Sequence, residues 1–163
     1  MIRAALAGAI LLAGCASSEP GRGWAIAGQG ELALPALPVV GAPQREADRV
    51  AYALAGDLRV AMQRTDTTSR LPTGERRDAS TVAAALVTRL ELGERAGELT
   101  STPCSVLGRT ASCVSGWIER DGRRYARDGA VFVVGDQVVW LDVTGPNERA
   151  EHVRDTADRV RAG

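Results

Sequence analysis

Three dipeptides, Gly108-Arg109, Asp121-Gly122 and Gly135-Asp136, each set between runs of strand-forming residues, constrain this chain more than any other feature. Asp-Gly favours a two-residue type I′ turn, Gly at the first central position favours type II′, and both turns match the twist of antiparallel strands. Three such turns imply four consecutive strands in a meander. Centring the first turn on Gly108-Arg109 sets Leu107 opposite Thr110, Val106 opposite Ala111 and Cys104 opposite Cys113. The second sets Ile118 opposite Tyr125, Glu119 opposite Arg124 and Trp117 opposite Ala126. The third sets Val133 opposite Val138, Phe132 opposite Val139 and Val131 opposite Trp140. A regular pleat then points Tyr125, Val131, Val133, Val138 and Trp140 one way and Phe132, Val134, Val139, Leu141 and Val143 the other. Asp128-Gly129 interrupts the alternation and reads as a bulge.

Because both faces of the last hairpin are apolar, each needs a cover. The first candidate is a helix capped by Asp78 or Ser80, with Val82, Leu86 and Leu90 recurring every four residues, Val87 beside them, and Gly93 or Gly97 at its end. The second follows Thr144-Gly145-Pro146, with Pro146 at the first helical position and Ala150, Val153, Ala157 and Val160 as a narrow apolar stripe. Upstream, Val50 to Ala55 and Leu58 to Gln63 flank Gly56-Asp57 as a further hairpin, a helix over Gln44 to Arg64 being the competing reading. Trp24 to Ala27 and Glu31 to Leu34 are expected as edge strands limited by Pro35 and Pro38, and Thr65 to Arg77 as an exposed loop. The expected fold is α+β: a mainly antiparallel meander with helices packed on its faces. The order of elements over residues 78–161, closing with a helix after a strand and Gly145-Pro146, is similar to that of the PsbP-like domains. That resemblance implies a non-catalytic accessory protein.

The N-terminus speaks to location. Met1-Ile2-Arg3 is a short positive start, Ala4 to Ala13 is apolar, and small residues lead to a cysteine, which is the layout of an export signal too short to span a bilayer. Leu12-Ala13-Gly14-Cys15 resembles the lipobox of bacterial lipoproteins. The resemblance implies cleavage before Cys15, acylation of its thiol and new amino group, and, with Ala16 following, sorting to an outer membrane facing the periplasm in a Gram-negative envelope. Residues 1–14 are thus expected to be a signal peptide, 15–23 a lipidated cysteine and tether, and 24–163 one globular domain. An oxidising envelope permits Cys104 and Cys113 to pair as a structural disulfide, since the redox spacing Cys-x-x-Cys is missing.

Composition narrows the chemistry. The chain is 163 residues long, enough for one domain, and 20 basic residues, all arginine, balance 20 acidic ones. No charge surplus marks a nucleic-acid partner. Without lysine there is no Walker loop, Ser/Lys dyad or Schiff base. Gly28-Gln29-Gly30-Glu31-Leu32-Ala33 matches a dinucleotide fingerprint, but Pro35 and Pro38 forbid the helix that must follow it. The one histidine, His152, lies in the expected last helix with no nucleophile elbow nearby, and with Cys104 and Cys113 it has no metal-site spacing. No catalytic residue, metal or cofactor is therefore expected. Two regions remain as candidate contacts. Arg120, Arg123, Arg124 and Arg127 crowd the Asp121-Gly122 turn, where they face anionic lipid or an acidic partner surface. Tyr125, Val131 and Trp140 mark a pocket between sheet and helix. The expectation is a membrane-anchored, non-enzymatic envelope protein that binds a protein partner or supports an assembly, with a small-molecule or lipid-binding module as the alternative.

Overall fold

The computed structural model describes residues 24–26, 30–32, 37–66, 79–93 and 99–162. β1 (Trp24–Ile26) and β2 (Gly30–Leu32) pair with each other in a two-stranded ribbon, so they are not edge strands of the main sheet. The fingerprint-like Gly30 thus begins a strand. β3 (Gln44–Arg45), β4 (Arg49–Leu54), β5 (Leu58–Asp66), β6 (Thr100–Val106), β7 (Arg109–Arg120), β8 (Arg123–Val134) and β9 (Gln137–Pro146) form one seven-stranded sheet. Between β5 and β6 lies α1 (Ala79–Gly93), and after β9 a single 3₁₀ turn (Asn147–Arg149) leads into α2 (Ala150–Ala162). The fold is α+β, as expected. Cys15 and the lipobox, Asp78 and most of the loop expected after Thr65 lie outside the described residues.

The strand order is β3-β4-β5-β9-β8-β7-β6, and every neighbouring pair is antiparallel. The chain builds β3 to β5 as one hairpin unit, crosses to the far edge by way of α1, and returns through the four-strand meander until β9 closes against β5. That last pairing is non-local, and it joins the two halves: Ala61 faces Asp142 and Gln63 faces Trp140.

Local chemistry accounts for the turns. The second and third hairpins have the expected registers, with Ile118 opposite Tyr125 and Val131 opposite Trp140. Asp121 and Gly122 both take positive φ, 51° and 72°, as a type I′ turn requires. The first hairpin differs. Its turn residues are Leu107 and Gly108, with φ of 50° and 74°, so Cys104 faces Ala111 and Cys113 faces Thr102. Gly108 serves as the second residue of a type I′ turn where a type II′ turn was expected. This choice leaves Leu107 in the exposed turn and buries Val106. The cysteines sit on a diagonal of the same face, and the disulfide forms with Cα atoms 5.7 Å apart.

No bulge occurs at Asp128-Gly129, since the register runs unbroken from Tyr125 to Val134. Gly129 has a packing reason instead. A Cβ there would collide with the Leu141 carbonyl oxygen and lie 2.9 Å from the Trp140 ring, so this glycine is the seat on which the indole rests. Pro146 likewise closes β9 and does not begin the helix.

The strands carry two cores, one on each face. Val50, Tyr52, Val60, Met62, Phe132, Val139, Leu141 and Val143 form the larger, under Val153, Ala157 and Val160 of α2. Ala150, expected in that stripe, is exposed. Gly145 allows the close docking of α2, since a Cβ there would come within 3.0 Å of Val153. Val114, Ile118, Val131, Val138 and Trp140 form the smaller core with Val87, and Ala79, Val82, Ala83, Leu86 and Leu90 of α1 pack against it. Spacings of three and four put those helix residues on one side. Among the described residues no helix is long and apolar enough to cross a membrane.

Candidate functional site

The alternation along β4 and β5 leaves one region of the sheet without an apolar cover among the described residues. Val50, Tyr52, Leu54, Leu58, Val60 and Met62 go to the α2 side, so Arg49, Ala51, Ala53, Arg59, Ala61, Gln63 and Thr65 take the α1 side. α1 packs over β7, β8 and β9 and leaves that half of the face beside it. A cleft of about 420 Å³ results. Leu86, Arg89 and Leu90 of α1 form one wall, Ala61, Gln63, Thr65, Trp140 and Asp142 the floor, and Arg49, Arg120 and Arg127 the remaining rim.

Its electrostatics are dominated by arginine. Arg127 and Asp142, 6% and 8% exposed, meet through two hydrogen bonds: Nε donates to Oδ1 at 2.9 Å and Nη2 to Oδ2 at 3.2 Å. Two charges taken out of water need such a fork-to-fork partner, because either alone would cost several kcal/mol. The Arg127 guanidinium also lies 5.8 Å from the centre of the Trp140 ring. Asp142 is matched to Arg127, and among the described residues the lining carries four guanidinium groups and one carboxylate. Next to it on the same face, the Arg59 guanidinium is held below its ordinary pKa by burial, then by repulsion from Arg49; Asp142 opposes this and Arg120 adds to it. Like charges are therefore close enough to feel one another here.

Two other concavities are more open and differ in kind. One lies beside the disulfide, where Arg161 already bridges Asp128 at 2.5 Å and Asp158 at 2.6 Å. The other lies over β4 and the start of β5, and apolar and small residues such as Val40, Ala42 and Ala53 line much of it.

The expected contact residues divide. Arg123 and Arg124 are exposed at the hairpin tip, and the Arg124 guanidinium stacks on Trp117 at 4.3 Å. Arg127 is not at the tip: it is buried in the ion pair. Arg120 joins it on the cleft, so the four arginines do not form one patch. The pocket expected around Tyr125, Val131 and Trp140 is shifted. Val131 is packed inside the α1-side core and Tyr125 is half-buried against it; only Trp140 reaches the cleft. Arg49, Arg89, Gln63 and Asp142 were missed by sequence reasoning. The usable signal was the small and polar set alternating with apolar residues along both strands of the first hairpin. His152 is exposed on α2, across the sheet from the cleft. Among the described residues no three histidine, cysteine or carboxylate side chains cluster as a metal site would require.

No family model and no curated protein matches the sequence. Solved structures do. A protein of unknown function from Pseudomonas aeruginosa superimposes with a TM-score of 0.51 at 14% identity, over 77% of this chain and 76% of that one. The solution structure of cyanobacterial PsbP (CyanoP) from Synechocystis sp. gives 0.50 at 14% identity, over 76% of this chain and 78% of that one. The fold is PsbP-like. LpqN, involved in cell envelope biogenesis of Mycobacterium tuberculosis, gives 0.47 at 11% identity, over 77% of this chain and 67% of that one. At such identities the PsbP-like likeness extends to the path of the backbone, and the site has to be argued from this chain's own side chains.

Proposed function

We propose that this chain is a lipid-anchored protein of the bacterial cell envelope whose PsbP-like domain is a non-enzymatic binding module, with the cleft beside α1 as its binding site. The cleft carries the reading. It is concave, it combines a polar majority of side chains with Leu86, Leu90 and Trp140, and four of its lining residues are arginines. The lipobox resemblance at Leu12 to Cys15 supports the anchor, with a thioether-linked diacylglycerol and an amide-linked acyl chain together holding the domain at a membrane surface. The Cys104–Cys113 disulfide fits an oxidising compartment. The non-enzymatic part rests on the side chains present. Among the described residues the cleft pairs arginines with one carboxylate that is committed to Arg127, and none of them is a nucleophile held by a base.

Two changes in the full chain test this. Cys15→Ala should move the protein from the membrane to the soluble fraction, and retention in the membrane would contradict the anchor. A photocrosslinking residue at Thr65, on the cleft, should give envelope adducts by mass spectrometry, whereas the same residue at His152, on the opposite face, should give none. Equal labelling at both positions would contradict the binding site.

A further inference from the structure

Arg49, Arg89, Arg120 and Arg127 are contributed by β4, α1, β7 and β8, so the cleft collects its charge from four separate elements. The chain as a whole is neutral, with 20 carboxylates to distribute, yet among the described residues Asp142 is the one carboxylate on this lining. Four guanidinium groups gathered in one concave site focus a positive field inward. The choice of arginine itself says little, because the chain contains no lysine. The placement is what matters. At the neighbouring Arg59, burial lowers the pKa most and repulsion from Arg49 adds to it, so positive charge is crowded beside the cleft as well.

We propose that the cleft binds a phosphate-bearing ligand carrying at least two negative charges. A dianion matches both Arg49 and Arg89, whereas a simple carboxylate would match only one of them. Arg127 is held in place by Asp142 and fixes one side of the site, while Arg49 and Arg89, which have no carboxylate partner among the described residues, close on the anion from the other sides. Gln63 and Thr65 on the floor supply neutral hydrogen-bond donors. The volume of about 420 Å³ admits more than one phosphate group. A soluble phosphate compound and the phosphate headgroup of a membrane lipid present the same chemistry, and the anchor brings the domain near the second. The inference rests on the cleft being the binding site and adds the identity of what it takes.

The test uses the full chain in nanodiscs of phosphatidylcholine, titrated with pyrophosphate by calorimetry, and repeated in discs doped with phosphatidic acid. Pyrophosphate should bind in the plain discs, and Arg49→Gln and Arg89→Gln should each weaken it about tenfold or more, as loss of one charge-assisted contact implies. Arg123→Gln with Arg124→Gln, at the hairpin tip, should leave the affinity unchanged. If pyrophosphate fails to bind in plain discs, but phosphatidic acid lowers amide exchange along β5 and α1 in wild type and not in the Arg49→Gln/Arg89→Gln variant, the source is a lipid headgroup. Absence of both effects, or equal binding in the cleft variants with unchanged melting temperatures, overturns the proposal. Crosslinking at Thr65 without any response to either phosphate probe would retain the binding module and reject this ligand class.

Discussion

The two faces of one sheet have been completed differently. On the α2 side apolar residues continue from Val50 on β4 across to Val106 on β6, and α2 adds Val153, Ala157 and Val160. On the α1 side Val114, Ile118, Val131, Val138 and Trp140 stop at the middle of the sheet, and beyond them stand Asp142, Ala61, Gln63 and Arg49. Both faces use the same strands, so the period-two pattern alone determines what each receives. One face is finished as core; the other is half core and half cleft. Stability should thus concentrate on the first and ligand chemistry on the second.

The largest expected departure from that division is the buried ion pair, where a cleft group also holds the fold together. Arg127→Met alone should cost roughly 3–5 kcal/mol in urea denaturation by stranding Asp142, and adding Asp142→Leu should recover most of it. If the double variant is no better than the single, the pair is not a closed unit. Next, Leu141→Ala on the α2 side should cost about 2–5 kcal/mol, while Leu90→Ala, on the wall of the cleft, should cost about 1 kcal/mol. Equal costs would erase the difference between the faces. Removing the disulfide by Cys104→Ala with Cys113→Ala should cost roughly 2–3 kcal/mol, since the closed loop is short. Gly129→Ala forces the backbone or the Trp140 ring to move and should cost about 1–3 kcal/mol, with the indole fluorescence reporting the shift.

The smallest effect is one of pH. Burial raises the Asp128 pKa, and the hydrogen bond and charge of Arg161 only partly offset it. The Arg161 pKa is itself raised: burial opposes this, but Asp158 and Asp128 outweigh it, so Arg161 keeps its charge and its pairing throughout the neutral range. The folded state therefore holds the Asp128 proton to higher pH than the unfolded chain does. Its contribution is fully present below the ordinary aspartate pKa and is lost as pH rises through the raised folded value. The stability of wild type relative to Asp128→Asn should fall as pH rises above the ordinary aspartate pKa, and a rise there would contradict this assignment.

Much of the α2 face was legible in advance because hairpins are local. Asp121-Gly122 and Gly135-Asp136 specify their own registers, and from those the apolar alternation on β8 and β9 follows. The first hairpin was less determinate, since Gly108 satisfies either a first or a second turn position. Exposure of Leu107 against burial of Val106 decided between them, which is a tertiary matter. Gly129 was misread for the same reason. It breaks a pattern along its own strand, but its cause is an indole from the next one. The cleft was legible least of all. Arg49, Arg89, Arg120 and Asp142 lie far apart in sequence and meet only because β9 returns to β5, a pairing that no short motif announces.

The most direct question is whether anions are received by the cleft and by no other surface. Pyrophosphate titrated into the isotope-labelled full chain, followed by nuclear magnetic resonance, measures this residue by residue. The predicted result is saturable shifts at Arg49, Gln63, Arg89 and the Trp140 indole N–H, with Val153, Ala157 and Val160 unmoved. Shifts centred on Arg123 and Arg124 at the hairpin tip, or no saturable shift anywhere, would contradict it.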